Sequence, residues 1–235
     1  MAWLLGRGCS LLGGFAAPDM VRPAAKNKAL ILLPLLLLGA FCRPAGAAVN
    51  CNGTDGLINI PSAYVRPAWK AGMGYFYADG GGVVAGNVNL PGDMELSCRY
   101  TLDGRGLSGG RYNLKIALLK EKILAPAIAA GAEDLAGENR RSYYLAVSKQ
   151  GPWGLRLHLG AKSAAGLFGG LEKQFKLKGD LRKMLPFIPL FTLMLEYDGH
   201  NFNYGLYARN SRGMRIDVAW RGFDNKFIIG AQKEF

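Results

Sequence analysis

The chain has 235 residues, half of them hydrophobic and one-fifth charged, with 33 glycines, four cysteines, two histidines and a formal net charge of +12. An apolar share of this size argues against a disordered chain, and so few cysteines argue against a disulfide scaffold. The basic excess favours anionic neighbours such as lipid phosphates or acidic glycans. It is spread along the chain rather than gathered into one dense patch, which speaks against nucleic acid as a partner.

Residues 1–48 read differently from the rest. Arg22, Lys26 and Lys28 precede the apolar run "ALILLPLLLLGAF", and "RPAGAA" supplies the small residues of an export-signal cleavage site. The run is too short for a spanning helix, which needs about 20 residues. The expectation is a signal peptide cut near Ala47 or Ala48, with Met20 a plausible true start. Its removal would take five Lys/Arg, one Asp, Cys9 and Cys42, leaving a net charge of about +8 and only Cys51 and Cys98. These two are expected to be unbridged.

Next comes "NGTDGLINIPSAYV". Gly53 and Gly56 permit special turns, and Pro61 interrupts any ladder. Residues 49–70 are therefore expected to form a tuck, packed into or under the rest of the chain. From residue 71 the pattern is strict alternation. "DMELSCRYTL" sets Met94, Leu96, Cys98, Tyr100 and Leu102 against Glu95, Ser97, Arg99 and Thr101. "GLRLHLGAK", "PLFTLMLEYD" and "GMRIDVAW" repeat it. A period of two marks strands with one apolar face. Turn signals such as "LPGD", "KQGPWG", "DGHN" and "NSRG" separate twelve predicted strands, near 71–79, 82–90, 93–102, 112–120, 124–134, 141–149, 153–162, 167–178, 190–198, 202–210, 213–221 and 226–235. Ten strands is the alternative if the second and last are shorter.

Segments of this length suit tilted membrane-crossing strands, and aromatics (Tyr75, Tyr77, Tyr100, Tyr112, Tyr143, Tyr197, Tyr204, Trp220) fall near strand ends. The polar faces carry both signs of charge: Glu95, Arg99, Lys115, Arg156, Glu196, Asp198, Arg215 and Asp217, with Glu133, His158, Lys162, Glu172 and Arg209 besides. The expected fold is all-β: a closed antiparallel transmembrane β-barrel spanning 71–235, in contact with membrane lipid. Its lumen would be mostly filled by complementary polar side chains and by residues 52–65. Phe235 would close the last strand with its ring in a periplasmic girdle. A soluble lipocalin-like secreted binder would show the same alternation and stays open.

Motifs with chemical overtones are weak. "GRGLSGG" at 104–110 matches both G-x-G-x-x-G and G-x-S-x-G, yet a strand-like run follows where both motifs need a helix. It reads as a flexible loop. A small secreted serine hydrolase using Ser108 with a histidine is the enzymatic alternative. No metal-ligand spacing occurs, and no cofactor or catalytic residue is expected. The basic run "KLKGDLRKM" makes Lys176, Lys178, Arg182 and Lys183 a candidate anion contact on the periplasmic side, with an ordinary solvated turn as the alternative.

One stretch is more specific. "GTDGLINIPSAYV" resembles the opening signature of the YjbH-like family, G-x-x-G-L-I-x-x-P-S-A, with Gly53, Gly56, Leu57, Ile58, Pro61, Ser62 and Ala63 in place. "NLKIALLKE", "PAIAAGAEDLAG", "YYLAVSK" and "EYDGHNFNYGL" come after it in family order. The resemblance implies an outer-membrane β-barrel of a diderm bacterium, linked to exopolysaccharide biosynthesis and export; the filled lumen expected above makes it a structural or accessory component rather than the conduit. Its implied partners are acidic polysaccharide or other export proteins. Members can be several times longer, so roles that need their additional regions do not transfer.

Overall fold

The computed structural model describes residues 48–78, 81–103, 106–138, 140–176, 190–222 and 225–235. The expected signal at 1–48 lies outside these apart from Ala48, as do Lys178, Arg182 and Lys183.

Twelve strands succeed one another in chain order: β1 (Ala71–Ala78), β2 (Gly81–Leu90), β3 (Met94–Asp103), β4 (Gly106–Leu119), β5 (Ala127–Glu133), β6 (Ser142–Gln150), β7 (Leu155–Lys162), β8 (Gly166–Lys176), β9 (Leu190–Tyr197), β10 (Phe202–Arg209), β11 (Met214–Arg221) and β12 (Lys226–Glu234). Each pairs antiparallel with its neighbours, and β1 pairs with β12, from Gly72 opposite Glu234 to Ala78 opposite Ile228, so the ring is closed. Ala71 and Phe235 exchange backbone hydrogen bonds of 3.4 and 3.0 Å where the ring closes. Closure leaves no unpaired edge. The ten-strand alternative is excluded.

Two strand starts differ from expectation by three residues or more, for local reasons. β5 starts at Ala127 rather than 124, because Pro126 has no N–H to give the ladder. β4 starts at Gly106, so "GLSGG" is strand rather than flexible loop. Thr101 pairs Ser108 and Asp103 pairs Gly106, across a register shift between Arg99 and Thr101. Gly106 and Gly109 hold positive φ and absorb that irregularity.

The alternation resolves into an apolar outside and a polar inside. Leu157, Leu159, Leu193, Leu195, Ile216, Val218 and Ile229 face outward and exposed, while Glu95, Ser97, Asn113, Lys115, Ser148, His158, Thr192, Glu196 and Asn203 are buried. An apolar belt running round a closed ring far exceeds the few hundred Å² a soluble protein exposes. It matches the lipid-facing surface of a membrane barrel, whose spanning strands run about 9–11 residues. The aromatics divide between the two ends. Tyr75, Tyr77, Tyr143, Phe202 and Tyr204 ring the mouth opposite the closure point; Trp69, Trp153, Phe175 and Phe235 stand exposed at the other, termed here the Phe235 end.

Inside the ring lies the segment 48–66. Val49, Leu57, Ile58 and Ile60 are buried, and so are Asn50, Thr54 and Asp55. Two isolated bridges, Val49 with Asp55 and Gly56 with Pro61, fold it back on itself. Arg66 approaches Ala71 at the Phe235 end, whereas Asn52 and Asn59 point toward the opposite mouth, where they line a cavity.

Candidate functional site: the polar lumen

The lumen is built from one face of each strand meeting this short segment. Asp55 is its first anchor. The carboxylate, completely buried, accepts Arg66 Nε at 2.9 Å and Asn87 Nδ2 at 2.7 Å. Its backbone N–H donates to Glu95 Oε1 at 3.0 Å, and its carbonyl accepts Lys115 Nζ at 3.0 Å. Lys115 and Glu95, from facing positions on β3 and β4, form an ion pair of 2.9 Å with no exposure on either side chain. Buried charges are tolerated only when paired and hydrogen-bonded, and here the segment's own backbone completes the set.

Glu196 of β9 is the second anchor. It accepts the consecutive N–H groups of Ile58 (2.9 Å), Asn59 (2.9 Å) and Ile60 (3.3 Å), and Asn203 Nδ2 of β10 at 2.9 Å. Successive backbone N–H groups converging on one carboxylate make an anion nest. The nest belongs to the N-terminal segment and its anion to the wall.

The third anchor joins Ser148, His158 and Glu172, from β6, β7 and β8. Ser148 Oγ accepts the N–H of Ala63 at 2.9 Å and shares a 2.8 Å hydrogen bond with His158 Nδ1. Glu172 lies 3.7 Å from His158 Nε2 and pairs with Arg156 at 3.1 Å. The order Ser–His–Glu has the outline of a nucleophile relay. The adjoining cavity, lined by Leu57, Tyr64, His158 and Tyr207, measures about 10 Å³. That holds about one water molecule and no substrate. The three residues therefore fasten the segment to the wall.

The signature residues occupy turns of this segment. Gly53 has φ +95°, and a Cβ there would lie 2.5 Å from the Cys98 carbonyl oxygen of β3. A Cβ on Gly56 would lie 2.1 Å from the Ile60 carbonyl oxygen, so the backbone fold-back needs glycine at both places. Leu57 and Ile58 are buried, and Pro61 pairs with Gly56. The Ser62 hydroxyl donates to the Asp55 carbonyl at 3.1 Å, and Ala63 reaches Ser148.

Of the polar positions expected on the wall, Glu95, Lys115, Arg156, Glu196, Arg215 and Asp217 are buried. Arg215 donates to Asp217 at 2.6 Å and stacks 3.6 Å above the Tyr207 ring. Arg99 faces inward, half-buried, and donates to Asn52 Oδ1 at 3.0 Å. Asp198, one residue past the end of β9, lines the cavity at the mouth: its carboxylate accepts Asn203 Nδ2 of the wall (3.0 Å) and the N–H groups of His200 (3.1 Å) and Asn201 (2.9 Å). Lys176 lies exposed at the end of β8. Ser108 is also exposed, and its hydroxyl contacts Asp103 at 3.3 Å, with neither histidine as a partner. Cys51 and Cys98 are free thiols.

Sequence reasoning missed Asp55, Asn87, Asn113 and Ser148 as parts of this network. Asn87 and Ser148 carried a usable signal, since each stands on the inward parity of its strand. Asp55 carried another, as a lone charge within an otherwise apolar, glycine-flanked run.

These features define a class: a closed twelve-stranded antiparallel barrel with a lipid-type exterior and a lumen occupied by its own N-terminal segment. The family model for YjbH, described as exopolysaccharide biosynthesis protein YbjH, matches residues 48–166, just over half of the chain, and the chain belongs to this family. A search of curated proteins found no match. Solved structures similar to it include the KdgM porin (TM-score 0.48, 12% identity, covering 71% of this chain and 99% of that one). The KdgM porin in complex with disordered oligogalacturonate gives 0.46 and 13% over the same shares. A mutant of the Rh. blastica porin gives 0.35 and 14%, covering 67% of this chain and 56% of that one. The chain thus spans little more than half the length of that porin. With these TM-scores below 0.5, the barrel class rests on the closed ring of strand pairings itself.

Proposed function

We propose that this protein is an outer-membrane barrel that serves exopolysaccharide biosynthesis or export as a structural, accessory component rather than as the conduit. In this reading residues 1–48 direct export and are removed, residues 49–70 act as a plug, and residues 71–235 span the membrane. The Phe235 end faces the periplasm, the side from which an exported chain reaches this membrane. The observation that carries the reading is the threefold fastening of the N-terminal segment, through Asp55 to Glu95 and Lys115, through residues 58–60 to Glu196, and through Ala63 to Ser148. A twelve-stranded ring is only modestly wider than the eight-stranded size that side chains alone fill. In this reading, long, mutually paired side chains and a buried backbone segment obstruct the path that a polymer would need.

Single-channel recording in planar bilayers tests this. The purified protein is expected to give no large, steady conductance, while deletion of its gene is expected to reduce surface polysaccharide. A large, steady conductance from the intact protein would overturn the plugged reading. Undiminished polysaccharide in the deletion strain would overturn the accessory role. The candidate anion contact at Lys176, Lys178, Arg182 and Lys183, of which only Lys176 is among the described residues, extends this reading to an anionic polymer as partner.

A further inference from the structure

The outward face of the wall carries little charge, and what it carries is of one sign. Among the described strand residues, three ionic side chains stand on outward positions, all lysines and all at the Phe235 end. They are Lys149 of β6, Lys173 of β8 and Lys233 of β12, opposite the exposed Leu157, Leu193 and Met214. Lys149 is spent on its own chain. Its ammonium donates to the carbonyls of Lys122 (2.5 Å), Ile123 (2.9 Å) and Ala125 (3.3 Å) and pairs with Glu121 at 3.3 Å, so it clasps the β4–β5 turn.

Lys173 and Lys233 belong to a repeated unit, Lys-x-Phe, at the ends of β8 ("KQF") and β12 ("KEF"). In each, the ammonium donates to one turn carbonyl, that of Trp153 at 2.7 Å and that of Arg212 at 2.5 Å. In each, it also lies 5.8 or 6.0 Å from the centroid of the phenyl ring two positions on. An ammonium has three donors, and the described bond of Lys173 uses one.

The turn that Lys173 holds is strained. Trp153 has φ 56°, a left-handed conformation that bulky residues rarely enter, yet its side chain gains no burial in return, being 76% exposed. Trp69, at the same end, repeats this with φ 67° and 73% exposure. Strain of this kind gathers at functional positions. An exposed indole is unfavourable in water and favourable at the headgroup level of a bilayer, where its apolar body and polar N–H are both satisfied. A lysine at that level lays its stem along apolar surface and places its ammonium among the phosphates. Outward Leu157, Leu171 and Leu193 continue the lipid-facing belt directly from this place, so its neighbour is lipid rather than a soluble anion. Cations without outward carboxylates beside them favour anionic over zwitterionic headgroups.

We propose that the end of β8 is a binding site for an anionic phospholipid, its phosphate on Lys173 Nζ and its glycerol region against Trp153 and Phe175. The site goes beyond the accessory reading and does not rest on it, since it needs only the membrane-spanning barrel.

Trp153 supplies the reporter. With Trp69→Phe and Trp220→Phe it is the sole tryptophan of residues 49–235. In vesicles, its fluorescence is quenched by brominated phosphatidylglycerol or brominated phosphatidylcholine, and the ratio gives the local preference. That preference is expected to favour phosphatidylglycerol about fivefold at low salt. It should shrink as salt is raised from about 50 to 500 mM, through screening. Lys173→Gln should bring it to within a factor of about two of parity, while Lys173→Arg keeps it, because the positive charge remains. Arg141→Gln, at the opposite mouth, should leave it unchanged. Undiminished quenching by brominated phosphatidylcholine shows that the indole keeps its place in each variant, and the compact, heat-modifiable band on gels shows that each is folded. Equal quenching by the two lipids in the parent, or a preference that survives Lys173→Gln, would overturn the proposal. A Trp153 that neither lipid quenches, but aqueous acrylamide does, would overturn it in favour of a docking face for a soluble partner.

Discussion

Glu196→Ala is the most informative single change in the lumen. The wild-type carboxylate accepts three consecutive N–H groups of the N-terminal segment, at 2.9, 2.9 and 3.3 Å. Truncation leaves three donors in a buried site, each costing about 1–3 kcal/mol when unsatisfied. Water entering the space vacated by the side chain recovers part of this, and loss of a buried charge recovers more, so the net local cost is about 3 kcal/mol. That corresponds to roughly a hundredfold shift in the equilibrium between docked and released segment. Amide hydrogen exchange reads this quantity directly for local opening. In the folded barrel, the amides of Ile58, Asn59 and Ile60 are expected to exchange about 10²-fold faster in Glu196→Ala than in the wild type, while strand amides of β11 and β12 keep their protection. Glu196→Gln should fall between, because one oxygen still accepts while the new NH₂ opposes the remaining donors. Exchange at 58–60 within a factor of about three of wild type would refute the claim that the nest holds the segment in place.

Lys115→Met should leave Glu95 buried without its cation, destabilising the barrel by about 3–5 kcal/mol, and the double variant with Glu95→Gln should recover most of that loss in thermal unfolding on gels. Burial pushes the Cys51 thiol up to about 12, so the thiolate fraction at neutral pH is negligible. Thiol reagents should therefore spare Cys51 in the folded protein even up to about pH 9, and should count two thiols per mature chain after unfolding without reductant. Ser108→Ala should leave polysaccharide output unchanged, because the hydroxyl is exposed and contacts only Asp103 among its described hydrogen bonds. Loss of output would revive the hydrolase alternative.

The barrel was legible in the sequence because its two solvents impose one rule on every strand. Runs such as 153–162 and 213–221 alternate without a break, and β7 and β11 fall within those bounds. Where the rule loosens, so does the reading: the glycines at 106–110 hid the first turn of β4, and Pro126 shortened β5 in a run whose apolar residues carry on across it. The lumen was legible only as a set of inward positions. Which of them would touch depended on strand neighbours and register, so the pairing of Glu95 with Lys115 was accessible through a predicted hairpin, while that of Glu196 with residues 58–60 was not. Asp198 shows how far parity reaches, since one position past the end of β9 its carboxylate still accepts the wall amide of Asn203.

The contacts between Glu196 and the N-terminal segment join residues 136 to 138 positions apart, and they lie within a ring that becomes continuous only when β12 meets β1. A pre-closed ring would have to admit a folded loop, with its buried Asp55, through a mouth crowded by long side chains. The simpler order puts the segment in place first. Strands added in sequence wrap around it, Glu95 and Lys115 engaging early and Glu196 late, and each engagement shortens the loop that the next must close. On that order the segment would serve as a mandrel during membrane assembly, its turns at Gly53 and Gly56 meeting the wall before the seam is sealed. A bulky side chain at Gly53 would then appear as barrels that never close, and the defect would lie in biogenesis rather than in the finished protein.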